Sequence, residues 1–357
     1  MISRGVLQIL RGGSIMKRLQ ALGVLCVVFS VLTVMAVPFC FAQDKVITLR
    51  FSNQFAPTSG NSIVLEEWCK EVEKRTNGKV LVKYYPGNTL NPPQQAFDSV
   101  VGGVVDLSNH ILGYTAGKFP LTEVLDYPLG YTSGHQATRL MNEYYKKFKP
   151  KEFDDVKVMY FHGQGPGILH TRTKPVNKLE DLKGMKIRTF GSNAQLMTLL
   201  GGTPVAMPMQ EAYDSISRGV ADGLMGCYEP LTGWKLAEVI KYTTETYGVG
   251  YSATFLVSMN KAKWNSIAPA EQKIIEQINQ EWIEKHGKLW DQWDREAKES
   301  SLKRGNKVIT LSAEEQARWY KKAEPLFTDY VNKMKEKGLP GDEVLKWAKD
   351  YLKKNPK

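Results

Sequence analysis

Apolar and polar positions along the chain follow two rhythms, one of period two and one of three to four. Residues 46–51 (VITLRF) alternate and are rich in β-branched side chains, which predicts a first strand. Residues 53–59 read as a loop. Within 63–74, Leu65, Trp68, Cys69 and Val72 recur at helical spacing, and Asn77-Gly78 stops that helix. Residues 79–84 predict a second strand. Pro92-Pro93 opens a second helix, with proline where a missing N–H costs nothing. Gly102-Gly103 closes it, and 104–107 predict a third strand. A second set follows: strands over 156–161, 168–171, 185–188, 204–207 and 220–225, helices over 192–199 and 210–218, and a strand-like stretch over 247–259 that leads back out. Strands alternating with helices place helices on the faces of a sheet, so the fold class is α/β.

The last hundred residues read as mostly helical. Pro269 begins a long helix whose apolar stripe is Ile274, Ile278, Trp282, Trp290, Trp293 and Ala297. Ser312 and Glu315 have the spacing of a capping box and open a further helix toward Lys337. Gly338-Leu339-Pro340-Gly341 breaks it, and a short basic helix follows. There is no internal repeat and no low-complexity tract.

The amino-terminal segment follows neither rhythm. Arg4, Arg11, Lys17 and Arg18 precede an apolar run over 22–37 of about 16 residues, short for a membrane span of about 20. A small residue, Ala42, lies before Gln43-Asp44. This is the pattern of a Sec signal peptide over 1–42, with Met1 or Met16 as the start, and it implies export to the periplasm. The alternative is an uncleaved anchor. Cys26 and Cys40 fall in the leader, leaving Cys69 and Cys227. One disulfide is chemically open to them outside the cytoplasm. They lie in segments assigned to different domains, where a bridge would lock the molecule, and two free buried thiols are expected.

The remaining residues, about 315, suffice for two domains with real cores. The formal charge is +11, and four cationic residues with no acid precede Gln43, leaving +7. No Lys/Arg run tracks a phosphate backbone, so nucleic acid is not an expected partner; anionic solutes are. The five histidines, His110, His135, His162, His170 and His286, form no metal-ligand spacing, so neither a metal nor another cofactor is expected. There is no G-x-S-x-G elbow and no Walker loop. The 163–167 run G-Q-G-P-G reads as a turn, since Pro166 lacks the N–H that a phosphate loop needs. No catalytic residues are assigned.

The stretch 174–265 carries the most information. It contains G-M-K-I-R-T-F-G (184–191), E-A-Y (211–213), G-V-A-D-G (219–223), K-L-A-E-V-I-K-Y (235–242) and V-S-M-N-K-A-K-W-N (257–265). In this order the motifs resemble the solute-binding proteins of TRAP transporters, of the dicarboxylate-binding type. The resemblance implies a two-domain clamp with crossing strands, a solute closed in the cleft, and a long helix lying across both domains. The corresponding division is 43–165 for the first part of domain 1, 166–253 for domain 2, and 254–357 for the return to domain 1 with the C-terminal helices. The partners implied are a small organic carboxylate and the membrane permease subunits. A protein feeding an extracytoplasmic sensor is the alternative, and an extracytoplasmic hydrolase or lyase a third.

The family's signature arginine maps onto Arg188. A guanidinium offers a planar fork that matches both oxygens of a carboxylate. Phe190, in the same run, joins it as a candidate contact. Met209 stands where many members carry an aromatic residue. Glu211 is a ligand contact or an architectural residue, with architecture favoured. The family's Gln-Glu-Asn stretch after D-G is replaced by 224–228 (LMGCY), which leaves Tyr228 or Cys227 to line the site. No second arginine occurs over 165–168, and His170 is a weaker donor in its place. These departures point to a monocarboxylate. From the first domain, Asn53, Gln54 and Phe55 lie in a loop at a strand's end, and Gln94 and Asn109 are similar candidates.

Overall fold

The computed structural model describes residues 46–356; the leader expectation falls on residues outside these. Two sheets organise the chain. The first has the order β2-β1-β3-β10-β4 and is formed by β1 (Ile47–Asn53), β2 (Val80–Tyr85), β3 (Leu107–Ile111), β4 (Val156–Gly163) and β10 (Thr254–Asn260). The second has the order β11-β9-β5-β8-β6-β7, from β5 (Ile168–Thr171), β6 (Lys186–Thr189), β7 (Thr203–Ala206), β8 (Gly223–Gly226), β9 (Tyr242–Glu245) and β11 (Lys307–Thr310). Each sheet is parallel in part, with β10 antiparallel in the first and β5 antiparallel in the second.

The chain passes between the sheets after β4 and returns before β10. The two crossings run antiparallel and meet where the Gly167 N–H donates to the Tyr251 carbonyl at 2.7 Å. Gly167 has no alternative here, because a Cβ would stand inside the Tyr251 ring. A third connection is helical. The 35-residue helix Pro269–Lys303 packs on the first lobe through the Trp282 indole, which donates to the Val64 carbonyl at 2.9 Å. Near its far end Lys298 pairs with Glu245 of β9 in the second sheet at 2.6 Å. The long helix therefore lies across both lobes. Among the described residues no helix is long and apolar enough to cross a membrane.

Several elements differ from the sequence expectation. The third strand lies at Leu107–Ile111 rather than 104–107, because Ser108, Asn109 and His110 are buried in mid-sheet and disguise an interior strand. The stretch 247–259 is strand only from Thr254; Tyr247–Val249 is a 3-10 turn where the chain leaves the second sheet. Residues 210–218 divide into a 3-10 turn, Met209–Glu211, and the helix Ala212–Ser217. Helix Gly134–Phe148 was not anticipated, although Ala137, Leu140, Met141 and Tyr144 have helical spacing and are buried. On the long helix Ile275 is buried where Ile274 was expected, and His286 fills the gap between Trp282 and Trp290. Lys307–Thr310 pairs with β9, so this part of 254–357 belongs to the second sheet and not the first. Cys69 and Cys227 are free and buried.

Candidate functional site

Where the lobes meet lies an inner cavity of about 20 Å³, room for a single water. β6 delivers Arg188 to it. Lys186 is exposed on this strand, while Arg188 is wholly buried between β7 and β8. The guanidinium is held from its edge: Nε donates to the Met207 carbonyl at 3.0 Å and Nη2 to the Tyr114 hydroxyl at 3.3 Å. Among the described residues Nη1 has no partner, and the group lies 5.3 Å from the Phe190 ring centre. A buried cation with a free donor is costly unless an anion meets it. Arg188 is the one cationic residue among the described residues of this wall.

Seven of the sixteen residues of the wall are aromatic. Phe55 follows β1, Phe255 sits on β10 and Trp290 on the long helix; Phe55 lies 5.5 Å from Phe255, which lies 5.4 Å from Trp290. Across from them stand Phe190, Trp234 and Tyr251, with Phe190 and Tyr251 6.0 Å apart and Trp234 6.1 Å from Phe55. Four polar residues besides Arg188 are placed among these rings, and one of them is the buried Gln164. Both ends of the Gln54 amide are buried without a partner. Gln210 spans the lobes by donating from Nε2 to the Gln54 carbonyl at 3.2 Å, and its Oε1 is free. Glu229, 3% exposed, also lines the wall.

A second space of about 510 Å³ adjoins the cavity and shares Tyr114 and Phe190 with it. Gln94 lines this outer cleft, as does Asp126, whose carboxylate accepts from the Thr254 N–H at 2.8 Å and its hydroxyl at 2.6 Å. Burial pushes Asp126 up to about 7. Tyr114 and Phe190 pack edge to face at 5.6 Å between the two spaces.

Of the residues singled out from sequence, Arg188, Phe190, Met209, Gln54 and Phe55 come together around the inner cavity, and Gln94 faces the outer cleft. The others lie elsewhere, each with other bonds or with solvent. Asn53 and Asn109 join in a buried chain: Asn109 donates to Asn53 at 3.0 Å, Asn53 donates to Tyr84 at 2.7 Å, and His162 meets Asn109 at 2.9 Å. His170 bonds Thr243 at 2.9 Å and the Cys227 carbonyl at 3.0 Å, which orders the chain entering the cavity wall. Burial pushes its imidazole down to about 4, so it is neutral there. Tyr228 donates to Glu245 at 2.9 Å and turns away from the cavity. Glu211 is exposed at the start of a helix and does not line the inner cavity.

Sequence reasoning missed Tyr114, Glu229, Trp234, Tyr251, Phe255 and Trp290. Trp290 was read as core stripe, which it also is. The other rings carry no local signal, since rings in strands and turns read alike whether they face a core or a cavity, and nothing local marks Glu229 as buried.

A family profile for the bacterial extracellular solute-binding proteins, family 7, matches residues 51–334. Among solved structures, a TRAP periplasmic solute-binding protein of Desulfovibrio salexigens is 32% identical, covers 86% of this chain and 96% of its own, and superposes with a TM-score of 0.77. One from Rhodoferax ferrireducens, in complex with copurified benzoate, is 30% identical over 87% of this chain and 98% of its own, with a TM-score of 0.82. A marine metagenome protein specific for aromatic acid ligands, solved with 3-hydroxybenzoate, is 30% identical over 88% of this chain and 100% of its own, with a TM-score of 0.83.

Proposed function

Because this chain belongs to the family 7 bacterial extracellular solute-binding proteins, we propose that it is the receptor subunit of a TRAP transporter and that its solute is an aromatic monocarboxylate. The observation that carries the solute class is the wall itself: one buried guanidinium with a free donor, set among seven rings. Arg188 takes the carboxylate through a charge-assisted fork, and the rings take the body. A dicarboxylate would bring a second negative charge to a wall that holds one cation and the Glu229 acid, where a buried unpaired charge is costly. The R. ferrireducens and marine metagenome structures hold aromatic acids, in keeping with this reading.

A cavity of about 20 Å³ is far below the roughly 300–1,000 Å³ of ordinary ligand sites. The solute therefore enters as the lobes part, through the outer cleft past Tyr114 and Phe190. The boundaries that go with this reading are those expected from sequence, with Lys307–Thr310 moved to the second domain. Export by the 1–42 leader and delivery to membrane permease subunits complete the assignment.

The test is a thermal-shift screen of organic acids on purified protein. Benzoate, phenylacetate and their ring-substituted forms are expected to raise Tm, because a ligand of the native state stabilises it by mass action. Succinate, lactate and glucuronate are expected to leave it unchanged. A larger shift with any of those three would overturn the assignment of solute class.

A further inference from the structure

Glu229 is an acid for which the fold supplies no bond. It precedes the short helix Pro230–Gly233, and its backbone N–H donates to Asp294 Oδ1 on the long helix at 2.8 Å. Its side-chain carboxyl makes no hydrogen bond to any described residue, although the residue is 97% buried (3% exposed) and lines the cavity with Arg188. Space has been made for it. A Cβ at Gly233 would collide with Glu229 Oε1, and one at Gly165 would collide with Asp294 Oδ2. A largely buried carboxyl that sits in the gap left by Gly233, on a residue lining the cavity, with no bond from a described residue, is a destabilising arrangement unless something else bonds it.

We propose that Glu229 reads a hydroxyl group on the solute, so that the site takes a hydroxy-substituted aromatic monocarboxylate in preference to the bare ring. This rests on the aromatic-acid reading above. Burial and the neighbouring Asp294 charge push Glu229 up to about 8, so near neutral pH it is a carboxylic acid. In that form it has one donor and free acceptor lone pairs, and a hydroxyl has the matching set. A second carboxylate on the solute would confront two buried acids, while an unsubstituted ring leaves the Glu229 carboxyl unbonded. The Gln54 amide, on the other lobe, is the rival reader of the same hydroxyl.

The experiment is calorimetric titration of the mature chain with benzoate, 3-hydroxybenzoate and 4-hydroxybenzoate. Wild type is expected to prefer one hydroxybenzoate over benzoate by about tenfold, the worth of one buried hydrogen bond. Glu229→Leu is expected to lose that preference, weakening the preferred hydroxybenzoate by more than it changes benzoate. Glu229→Gln, which still donates and accepts, is expected to keep most of it. Gly233→Ala, which displaces the carboxyl and leaves the rest of the wall intact, is expected to behave as Glu229→Leu and carries the test if the leucine variant does not fold. The inference is overturned if wild type shows no hydroxyl preference, if Glu229→Leu weakens all three ligands by one common factor, or if Gln54→Leu and not Glu229→Leu removes the preference. Binding of benzoate without hydroxyl preference removes this inference alone; failure to bind any of the three removes the aromatic-acid reading as well.

Discussion

Arg188 concentrates the chemistry of the cavity in one side chain. Its edge bonds to Met207 and Tyr114 leave Nη1 free, so the guanidinium is oriented before any solute arrives. Preorganisation of this kind reduces what binding costs in lost rotamers. Arg188→Ala is expected to weaken binding of the screened acid by roughly thirty-fold to several-thousand-fold, the equivalent of about 2–5 kcal/mol for one partner of a desolvated charge pair. Arg188→Lys keeps the charge but not the fork and is also expected to bind poorly. The fold is expected to survive the alanine change, which sheds a buried cation that lacks one bond. Calorimetric titration with circular dichroism checks this; near-wild-type affinity for the alanine variant would place the carboxylate elsewhere.

At the scale of elements, the crossing segments and the long helix set the relation of the lobes. The crossings approach at Gly167 and Tyr251 closely enough that the Tyr251 ring covers the glycine, and its hydroxyl donates to the Met225 carbonyl of β8 at 3.0 Å. Tyr251 thus ties a crossing to the second sheet while lining the cavity. Gly167→Ala is expected to cost about 1–3 kcal/mol through overpacking, read as a lower urea midpoint at unchanged slope. A midpoint equal to wild type would mean that the crossings slide apart at little cost. Helix Ala313–Glu336 adds a further tie. Ser312 caps it by accepting from the Glu315 N–H at 3.2 Å, but the Glu315 carboxylate accepts from the Leu179 N–H at 2.7 Å in the second lobe and does not complete the expected box. The spacing that suggests a local cap serves a long-range contact.

Across the whole molecule, two sets of buried groups titrate in opposite senses. Burial pushes Asp126 and Asp294 up to about 7 and, with the Asp294 charge, Glu229 up to about 8. Burial pushes His110 and His286 down to about 3 and His170 to about 4, and holds His162 well below its ordinary value. The histidines contribute stability above about pH 6.5 that is lost as pH falls toward their folded values. The raised carboxyls contribute stability at low pH that is lost as pH rises through about 7–8. Between about pH 4.5 and 6.5 the two oppose each other. Above 6.5 the histidines are neutral folded or unfolded, and only the carboxyl term remains. Tm is therefore expected to fall between pH 6.5 and 8.5. Asp126→Asn, which can still accept from Thr254, is expected to flatten that decline. A Tm that rises over this interval would contradict the assignment.

The alternation of strand and helix, the long C-terminal helix and the arginine of G-M-K-I-R were legible because each is written locally, in periodicity, caps or a short motif. Strand β3 was displaced because buried polar residues hide an interior strand from a reading of apolar runs, and β11 was unassigned because pairing with β9 depends on where a 35-residue helix ends. Asn53 and Asn109 could not be told from cavity residues, since whether an amide meets a solute or another amide is a matter of packing. The wall lay furthest from view. Phe55 stands two hundred residues or more from Phe255 and Trp290 in sequence, yet the three rings lie within about 6.4 Å of one another in space. By itself the sequence determined the α/β architecture and one anchoring charge, because local propensity and a short motif suffice for those. Only the tertiary structure decided which rings surround that charge and left Glu229 unbonded beside them, because burial is a property of surfaces brought together and not of any stretch of chain.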